Sequence, residues 1–501
     1  MKSQTIAVLD VGKTNKKVLI YDLDLNLLDM TTASFPEIDQ LNLKLEQPEA
    51  VFDWFCEVLA EFSAQYQIKV ISVTTHGATI VCIDNQGGIT VPPLSYTNTA
   101  AEGFAQEFFD TFGSRESLQQ STATAEIGDL INAGKMVYFL KKNFSKEMEQ
   151  TEWILHYPQY FGFKLTGVAG AEPTMLGSHS YLFDPLTKDY SPVAHKLGIM
   201  DKLPPTIHNS WQSLGTITEA IATRTGIDKD CQVTFGVHDS NSSLIPYLIR
   251  SPQKFVLNST GTWCVAISPE ETIHFSPDEL GKLVFYNMDI FKNPAKTSIF
   301  MGGLEYETYF ELFCKINDRK ELPDFDYDLY KSVADACSDF ILPSVTKGTG
   351  IFPDSSPRLV EGDTVVGLEA FQSSQATVDF VHDFEKACAI LIYSLAIQTA
   401  QAFKYVGIEN GAAIFVEGGF RHNQPYLTLL KQFYPESDVF TTDLKQATAI
   451  GAAICGLALL EGKSPNELTN CVDIKAEKID IAAKLDVKPY MQKFVQLVQN
   501  T

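Results

Sequence analysis

Three observations predict an α/β protein of two domains. The 501 residues exceed what one hydrophobic core usually organises. Strand-like and helix-like hydrophobic patterns alternate along the chain. A strand–turn–strand pattern at residues 5–28 recurs at 255–267, and each copy is followed by helices and a glycine-broken strand. We infer an internal duplication of architecture without a fixed sequence period, with domains at 1–248 and 249–501 and a site between them.

The first domain opens with a predicted β-hairpin whose polar turn lies at 12–15. A helix is predicted at 51–66, where five apolar side chains recur at helical spacing: Phe52, Phe55, Leu59, Phe62 and Tyr66. The remaining predictions for this half are a strand at 69–84 broken at Gly77, helices over about 102–143, a Gly- and Pro-punctuated loop at 166–185, a helix at 217–227 and a strand before 236.

The second domain is predicted to contain long helices at 383–406 and 444–461, with a strand and a glycine turn at 414–424 between them. The apolar run at 447–460 is rich in Gly and Ala. It is shorter than the roughly 20 residues that a membrane-spanning helix needs. We therefore predict a buried helix there.

Charge and cysteine content exclude several classes of function. The formal charge is −23, with 62 acidic and 39 basic residues, and such a surface repels nucleic acid and anionic membranes. The nine cysteines are odd in number and never take CxxC spacing, which argues against a zinc site or a disulfide framework. The apolar run near the N-terminus is too short for a signal peptide, so we expect a cytoplasmic protein with reduced thiols.

The segment DVGKTN at 10–15 combines a strand-end carboxylate with a polar turn. Asp10 could hold a magnesium ion, and Gly12, Thr14 and Asn15 could offer backbone and side-chain donors to phosphate oxygens. An ordinary hairpin turn explains the same residues equally well.

The segment GVHDSNSSL at 236–244 places Asp239 at the end of an apolar strand, beside His238. A carboxylate in that position suits a general base, and phosphoryl transfer needs one close to the attacking hydroxyl. The alternative is that Asp239 caps the following helix.

Two further glycine turns suggest nucleotide contacts. NSTGTW at 258–263 could cradle a phosphate through backbone N–H groups and Thr260 or Thr262. The paired glycines of VEGGFRHN at 416–423 would let a ring or a phosphate approach the backbone, and Asn423 could bind an adenine. A hairpin and a strand-to-helix turn are the alternatives.

Two apparent motifs are dismissed. GDLINAGKM at 128–136 is one residue too long for a Walker A loop and has Met136 where a hydroxyl is needed. The nine histidines contain no HExxH pair, so His76 and His238 are interpreted as site-lining or structural residues and not as metal ligands.

Taken together and in this order, LDVGKTNKK, TTHG, GVHDSNSS, STGTW and VEGGFRHNQ followed by TAIGAA resemble the FGGY family of carbohydrate kinases over essentially the whole chain. The resemblance implies two actin-like, ribonuclease-H-like ATPase domains with an active-site cleft between them. It also implies ATP and Mg²⁺ as cosubstrate and cofactor.

The resemblance assigns roles by position. Asp239 would be the catalytic base, and Asp10 with Asp239 would hold Mg²⁺, in part through water. The sugar would meet His76, Gly77, His238, Asp239 and Ser240. ATP would meet Lys13, Thr14, Asn15, Lys16, Lys17, Thr260, Gly261, Thr262, Gly418, Gly419 and Asn423.

Within the family, HDS and STGTW look most like the L-rhamnulose and L-fuculose kinases, which implies phosphorylation of the 1-hydroxyl of an L-deoxy-ketose. The sugar stays open, because SYTNTA at 95–100 stands where many relatives have Tyr-Arg-Asp and KTNKK brings three lysines into the first turn.

The alternatives are a kinase for ribulose, xylulose or a polyol, and a non-catalytic actin-like ATP-binding sensor or scaffold. Retention of Asp10 and Asp239 favours catalysis. The expected partners are a small sugar and ATP, with no nucleic acid or membrane, and a homodimer is open because many relatives dimerise.

Overall fold

The computed structural model describes residues 2–250, 254–346, 350–444, 446–469 and 471–499. Each half of the chain is built on a mixed sheet with helices packed against it. The strands of the first half are β1 (Gln4–Val11), β2 (Asn15–Tyr21), β3 (Leu27–Ser34), β4 (Ile38–Gln40), β5 (Leu43–Leu45), β6 (Gln67–Thr75), β7 (Ile80–Ile83), β8 (Trp153–His156), β9 (Phe183–Asp184), β10 (Asp189–Tyr190), β11 (Ser213–Thr216), β12 (Gln232–Thr234) and β13 (Val237–His238). Its helices are α1 (Pro48–Ser63), α2 (Phe104–Phe112), α3 (Arg115–Thr122), α4 (Ala133–Asn143), α5 (Ser145–Glu149), α6 (Tyr157–Thr166), α7 (Pro173–Leu176), α8 (Pro192–Leu197), α9 (Glu219–Thr225) and α10 (Asp239–Arg250).

The second half follows the same plan. Its strands are β14 (Phe255–Thr260), β15 (Cys264–Pro269), β16 (Val284–Met288), β17 (Pro294–Phe300), β18 (Asp339–Leu342), β19 (Arg358–Glu361), β20 (Thr364–Gly367), β21 (Ala413–Gly418), β22 (Val439–Thr442) and β23 (Ala476–Lys478). Its helices are α11 (Gly302–Asn317), α12 (Tyr327–Ala336), α13 (Leu368–Gln372), α14 (Phe384–Tyr405), α15 (Gln424–Phe433), α16 (Ala447–Glu461) and α17 (Lys488–Gln499).

The two sheets share one core arrangement. In the first, β1 pairs antiparallel with β2 and parallel with β6, and β6 pairs parallel with β12. In the second, β14 pairs antiparallel with β15 and parallel with β21, and β21 pairs parallel with β22. This shared order of hairpin and parallel strands is the duplication that the sequence pattern predicts.

Two helices cross between the halves. Leu244 and Tyr247 of α10 pack with Phe255 and Leu257 of the second sheet. The buried face of α16 packs on the first sheet, in one cluster with side chains of β1, β2 and α10. Each half therefore contributes a helix to the core of the other, and the two halves are joined through this pair.

The predicted helices lie close to their expected bounds. Helix α1 begins at Pro48, before the predicted start, because proline suits the first turn of a helix. Helix α16 is buried along most of its length, as predicted for the apolar run; residue 445 of the predicted range lies outside the described residues. Helix α14 is long and apolar enough by length and composition to cross a membrane, but 89% of its most apolar window is buried inside the protein, as in a core helix.

Candidate active site

Two adjoining cavities lie between the two halves, and a third adjoins them within the second half. The inner cavity, of about 250 Å³, is lined by His76, Gly77, Tyr96, His179, His238, Asp239, Asn287 and an apolar wall. The central cavity, of about 470 Å³, is lined by Asp239, Ser240, Ser259, Glu417, Gly418, Arg421 and the start of α16. The outer cavity, of about 850 Å³, is lined by Thr260, Gly261, Thr262, Tyr306, Phe310, Gly419 and Asn423. Asp239 and Ser240 line both the inner and the central cavity.

Asp239 follows β13 directly and is the first residue of α10. Its Oδ1 accepts a hydrogen bond from the backbone N–H of Ser240 at 2.6 Å and lies 3.2 Å from Nε2 of His238. These contacts fall on Oδ1, so Oδ2 is the oxygen that could accept a proton from a bound hydroxyl. Burial raises the pKa of Asp239, and His76 and Ser240 offset this only in part.

A buried network fixes the strand before Asp239. The carboxylate of Glu172 accepts hydrogen bonds from the backbone N–H and the hydroxyl of Thr174, at 2.8 and 2.7 Å. The same hydroxyl accepts from the backbone N–H of His238 at 2.9 Å. Helix α7 is thereby attached to β13. Glu172 and Thr174 are not predicted as site residues from the sequence, although an acidic residue before Pro173 is a signal for a helix N-terminus.

Three histidines form one side of the inner cavity. Burial lowers the pKa of His238 and of His179 to about 3, and it also lowers the pKa of His76. They are therefore neutral near pH 7 and can each donate and accept a hydrogen bond. A Cβ on Gly77 would lie 2.8 Å from Nε2 of His238 and 2.9 Å from the ring of His179, so only glycine fits between the two rings.

The histidine side also carries buried atoms without partners. Among the described residues, His76 Nε2 and His179 Nδ1 have no hydrogen-bond partner. A ligand hydroxyl at the cavity wall could satisfy such groups. The sequence singled out His76, Gly77 and His238, but His179 lies within the Gly- and Pro-rich loop, where the pattern does not distinguish one residue from its neighbours.

The opposite wall of the inner cavity is largely apolar. Trp263, Phe285 and Ile299 come from the second half, and Ile127 and Ile131 come from the loop before α4. These five side chains, hereafter the apolar wall, pack in one hydrophobic cluster, in which Ile131 and Trp263 are partly buried. No local pattern in the sequence connects them, because they meet only when the two halves pack together.

Asp10 lies at the end of β1 and points to the same region as Asp239. Burial raises the pKa of Asp10 to about 6; Lys17 lowers it and the negative charge of Asp239 raises it further. The Nζ of Lys17 lies 3.8 Å from Asp10 Oδ2 and donates to the side-chain oxygen of Gln446 in the second half at 2.7 Å. Thr14 and Asn15 are exposed at the turn.

The other two lysines of the turn between β1 and β2, Lys13 and Lys16, contact oxygen atoms of the protein. The ammonium of Lys16 is buried and donates to the carbonyl oxygen of Lys13 at 2.8 Å. The ammonium of Lys13 contacts Glu37, Glu46 and Ser95. This geometry does not support the expectation that Lys13 and Lys16 bind ATP through their side chains, since neither ammonium lines the central or the outer cavity.

The glycine turn at 258–263 is in direct contact with the glycine turn at 416–423. The hydroxyl of Thr260 donates to the carbonyl oxygen of Glu417 and accepts from the N–H of Phe420 at 2.9 Å. Gly418 has φ +78°, and a Cβ there would lie 2.0 Å from the carbonyl oxygen of Thr260. The hydroxyl of Thr260 is therefore a structural contact between the two turns, and Thr260, Gly261 and Thr262 all border the outer cavity.

An aromatic pair and Asn423 border the outer cavity. The rings of Tyr306 and Phe310 stack at 5.1 Å with an interplanar angle of 12°. Asn423 accepts a hydrogen bond from the N–H of Tyr426 at 3.0 Å and so caps α15 while its side chain borders the cavity. Glu307 also lines this cavity. The aromatic pair was not predicted, because its spacing is also that of an ordinary buried helix face.

The residues around Asp10 and Asp239 fit a magnesium ion carried by a nucleotide. The two carboxylates are close enough for their charges to interact. Within the described residues no cluster of three or more His, Cys, Asp or Glu side chains could hold a metal by itself. Mg²⁺ is usually held by one or two carboxylates together with waters and substrate phosphates, so two neighbouring carboxylates are enough for the protein's part of such a site.

Comparisons with known proteins agree with this geometry. The model described as the FGGY family of carbohydrate kinases, N-terminal domain, matches residues 5–246, and that of the carbohydrate kinase FGGY C-terminal domain matches residues 252–465. The chain therefore belongs to the FGGY family of carbohydrate kinases.

Individual members of the family and solved structures are similar to this chain to different degrees. The L-fuculokinase of Salmonella typhi is 27% identical over 272 residues, covering 52% of this chain and 56% of that protein. The alignments thus span about half the length of the curated relatives. A carbohydrate kinase from Novosphingobium aromaticivorans has a structure with TM-score 0.81 and 25% identity, covering 100% of both chains. The ligand-bound xylulose kinase from Lactobacillus acidophilus gives TM-score 0.78 at 14% identity, covering 99% of this chain and 96% of that one. These neighbours confirm the actin-like α/β fold of two domains.

Proposed function

We propose that this chain transfers the γ-phosphoryl group of Mg-ATP to a sugar hydroxyl, with Asp239 as the general base. The observation that carries the proposal is the position of Asp239, which lines both a cavity of sugar size and the adjoining central cavity. A base for phosphoryl transfer must lie where the attacking hydroxyl meets the phosphate.

In the proposed reaction the sugar hydroxyl oxygen attacks the γ-phosphorus, and its proton passes to the carboxylate of Asp239. The bond from the γ-phosphorus to the bridging oxygen breaks, and ADP leaves. The raised pKa of Asp239 makes it a stronger base than a carboxylate in water, which suits this role. The network through Glu172 and Thr174 holds the base in place.

The second half would bind the phosphoryl donor, Mg-ATP. Gly418 and Gly419 permit close approach of phosphates to the backbone, and the stacked pair Tyr306 and Phe310 offers an aromatic surface beside the nucleobase. Asp10 and Asp239 would hold the magnesium ion, in part through water, and the ion would offset the negative charge of the phosphates.

For the acceptor we propose the 1-hydroxyl of an L-deoxy-ketose such as L-rhamnulose or L-fuculose. The inner cavity combines neutral histidines, which suit hydroxyl groups, with the apolar wall, which suits a methyl group. Burying a methyl contributes about 0.8 kcal/mol. The match to L-fuculokinase supports the same choice. Xylulose, ribulose or a polyol is the second candidate, favoured by the structural likeness to a xylulose kinase.

The test is ADP release from Mg-ATP with a panel of ketoses, aldoses and polyols, comparing the wild type with Asp239→Asn. We expect turnover on an L-deoxy-ketose, and we expect the variant to lose about 10²–10⁴-fold in kcat, the usual contribution of a general base. Near-normal turnover by Asp239→Asn would refute the base.

The panel also separates the other classes of function. Turnover on xylulose, ribulose or a polyol would keep the kinase and replace the acceptor. ATP binding without stimulation by any sugar would favour a sensor or scaffold over a kinase.

A further inference from the structure

Lys13 lies in the turn between β1 and β2, but all three N–H groups of its ammonium are used by acceptors within the protein. It contacts Glu46, Glu37 Oε1 at 2.5 Å and Ser95 Oγ at 2.7 Å. An ammonium group has three N–H donors. With three acceptors already in place, no donor remains for a phosphate oxygen.

The partners of Lys13 are themselves part of a connected network. Ser95 Oγ donates to Glu37 at 2.5 Å, and Thr97 Oγ1 donates to the same carboxylate at 2.9 Å. Glu46 is only 4% exposed. Removing the ammonium would leave the buried Glu46 carboxylate without its ion-pair partner, and breaking a buried ion pair is strongly unfavourable. The network therefore holds residues 95–97 against the first turn.

This network reaches the inner cavity through Tyr96. The Nζ of Lys13 lies 4.6 Å from the centroid of the Tyr96 ring, within the range of a cation–π interaction. The Tyr96 ring meets the His76 ring edge-on at 5.6 Å, and both side chains line the inner cavity. Lys13 thus contacts the back of the cavity wall.

We propose that Lys13 is a positioning residue of the sugar pocket and not a ligand of the nucleotide. By holding Ser95, Tyr96 and Thr97 against the first turn, it sets the position of Tyr96 and, through it, of His76. The inference rests on the proposed function, because its activity test measures the KM for the sugar. It assigns Lys13 to the sugar-binding part of the site, although the position of Lys13 in the turn between β1 and β2 suggests the nucleotide-binding part.

The test compares Lys13→Met with Lys44→Met as a matched control. Lys44 reaches the same Glu37 carboxylate, at 4.0 Å, but its side chain is 53% exposed. We expect Lys13→Met to raise the KM for the sugar by about tenfold or more, equivalent to about 1.4 kcal/mol. The Kd for ATP, measured by calorimetry without sugar, should stay within about twofold of the wild type. Lys44→Met should behave as the wild type, and Lys13→Arg should recover part of the loss, because it keeps the charge but not the compact ammonium geometry.

The opposite pattern would overturn the inference: a weaker Kd for ATP with an unchanged KM for the sugar makes Lys13 a nucleotide ligand. A readout without activity is hydrogen–deuterium exchange of a peptide spanning residues 92–98. Exchange there should be faster in Lys13→Met than in the wild type and Lys44→Met, and equal rates would contradict the proposal. Because calorimetry and exchange need no sugar, a wild type without sugar-stimulated turnover would refute the proposed function and still leave Lys13 tested.

Discussion

At the scale of single residues, burial changes the charge of the groups in the site. The histidines around Gly77 have lowered pKa values and are neutral, whereas Asp10 and Asp239 have raised pKa values and hold protons more strongly than carboxyl groups in water. Holding two carboxylates near each other in a buried site costs stability. That cost can be measured.

Above pH 7, the Asp10→Asn variant is expected to have a higher melting temperature than the wild type. The folded pKa of Asp10 is about 6 and its ordinary value is 3.8. Between these values the unfolded chain is ionised while the folded protein keeps the proton, so the cost to stability grows as the pH rises to about 6 and is complete above it. The gain in the variant should therefore shrink as the pH falls from 7 towards 4. Thermal unfolding across this range, with exposed Asp24→Asn as control, measures it, and a pH-independent difference between Asp10→Asn and the wild type would contradict the assignment.

A site residue can be predicted from the sequence only where a local pattern marks it. Asp239 is recognisable because a polar residue interrupts an apolar strand at its end. His179, Trp263 and Asn287 are not recognisable, because each enters the site only through tertiary packing. Lys13 can be placed in a turn from sequence, but its acceptors come from segments 24 to 82 residues away, which no local pattern reports.

At the scale of elements, the short helix α7 supports the strand that carries the base. Thr174 connects them, since its hydroxyl donates to Glu172 and accepts from the N–H of His238. The helix has only four residues, so these contacts and not its own hydrogen bonds keep it in place.

Thr174→Val should therefore lower both stability and turnover. The change leaves the buried N–H of His238 without a partner, which costs about 1–3 kcal/mol. It also frees the turn that positions Asp239, so kcat should fall while the Kd for ATP is kept. Thr174→Ser should restore most of both. The control is Thr122→Val, which removes a buried hydroxyl bonded only within its own helix, to the carbonyl oxygen of Leu118. Equal effects on kcat from the two valine variants would refute a specific role for Thr174.

Elements with a clear sequence pattern of their own were predicted well, including the short helix α9, whereas α7 and β13 were not. Helices α1, α14 and α16 have hydrophobic patterns long enough to define them, and the hairpins of both halves carry their own turn signals. Helix α7 and strand β13 have four and two residues. Their structure depends on neighbours in space, such as Pro158 and Val73, against which Gly236 packs with φ +88°.

At the scale of the whole molecule, the contact between α10 and α16 joins the two halves. A Cβ at Gly451 would lie 1.8 Å from the carbonyl oxygen of Ser242, and the hydroxyl of Ser242 donates to the carbonyl oxygen of Thr448 at 2.6 Å. The two backbones touch at this point, and Asp239 begins one of the two helices.

Gly451→Ala should push the helices apart. Overpacking of this kind costs about 1–3 kcal/mol or more, and because α10 begins at the base, turnover should fall together with the melting temperature. Gly367→Ala is the matched control, because a Cβ there meets nothing within 4 Å. Thermal unfolding and kcat of both variants test this, and an unchanged melting temperature in Gly451→Ala would show that the helices do not meet as described.

The exchange of helices between the halves has a consequence for synthesis on the ribosome. The face of the first sheet that carries Ile6 and Val8 is covered by α16, more than 400 residues later in the chain. The N-terminal half therefore leaves the ribosome with that face uncovered until α16 has been translated. A chain that stops before Ala447 keeps this apolar surface exposed to chaperones and proteases, so the order of translation distinguishes chains that contain α16 from chains that lack it.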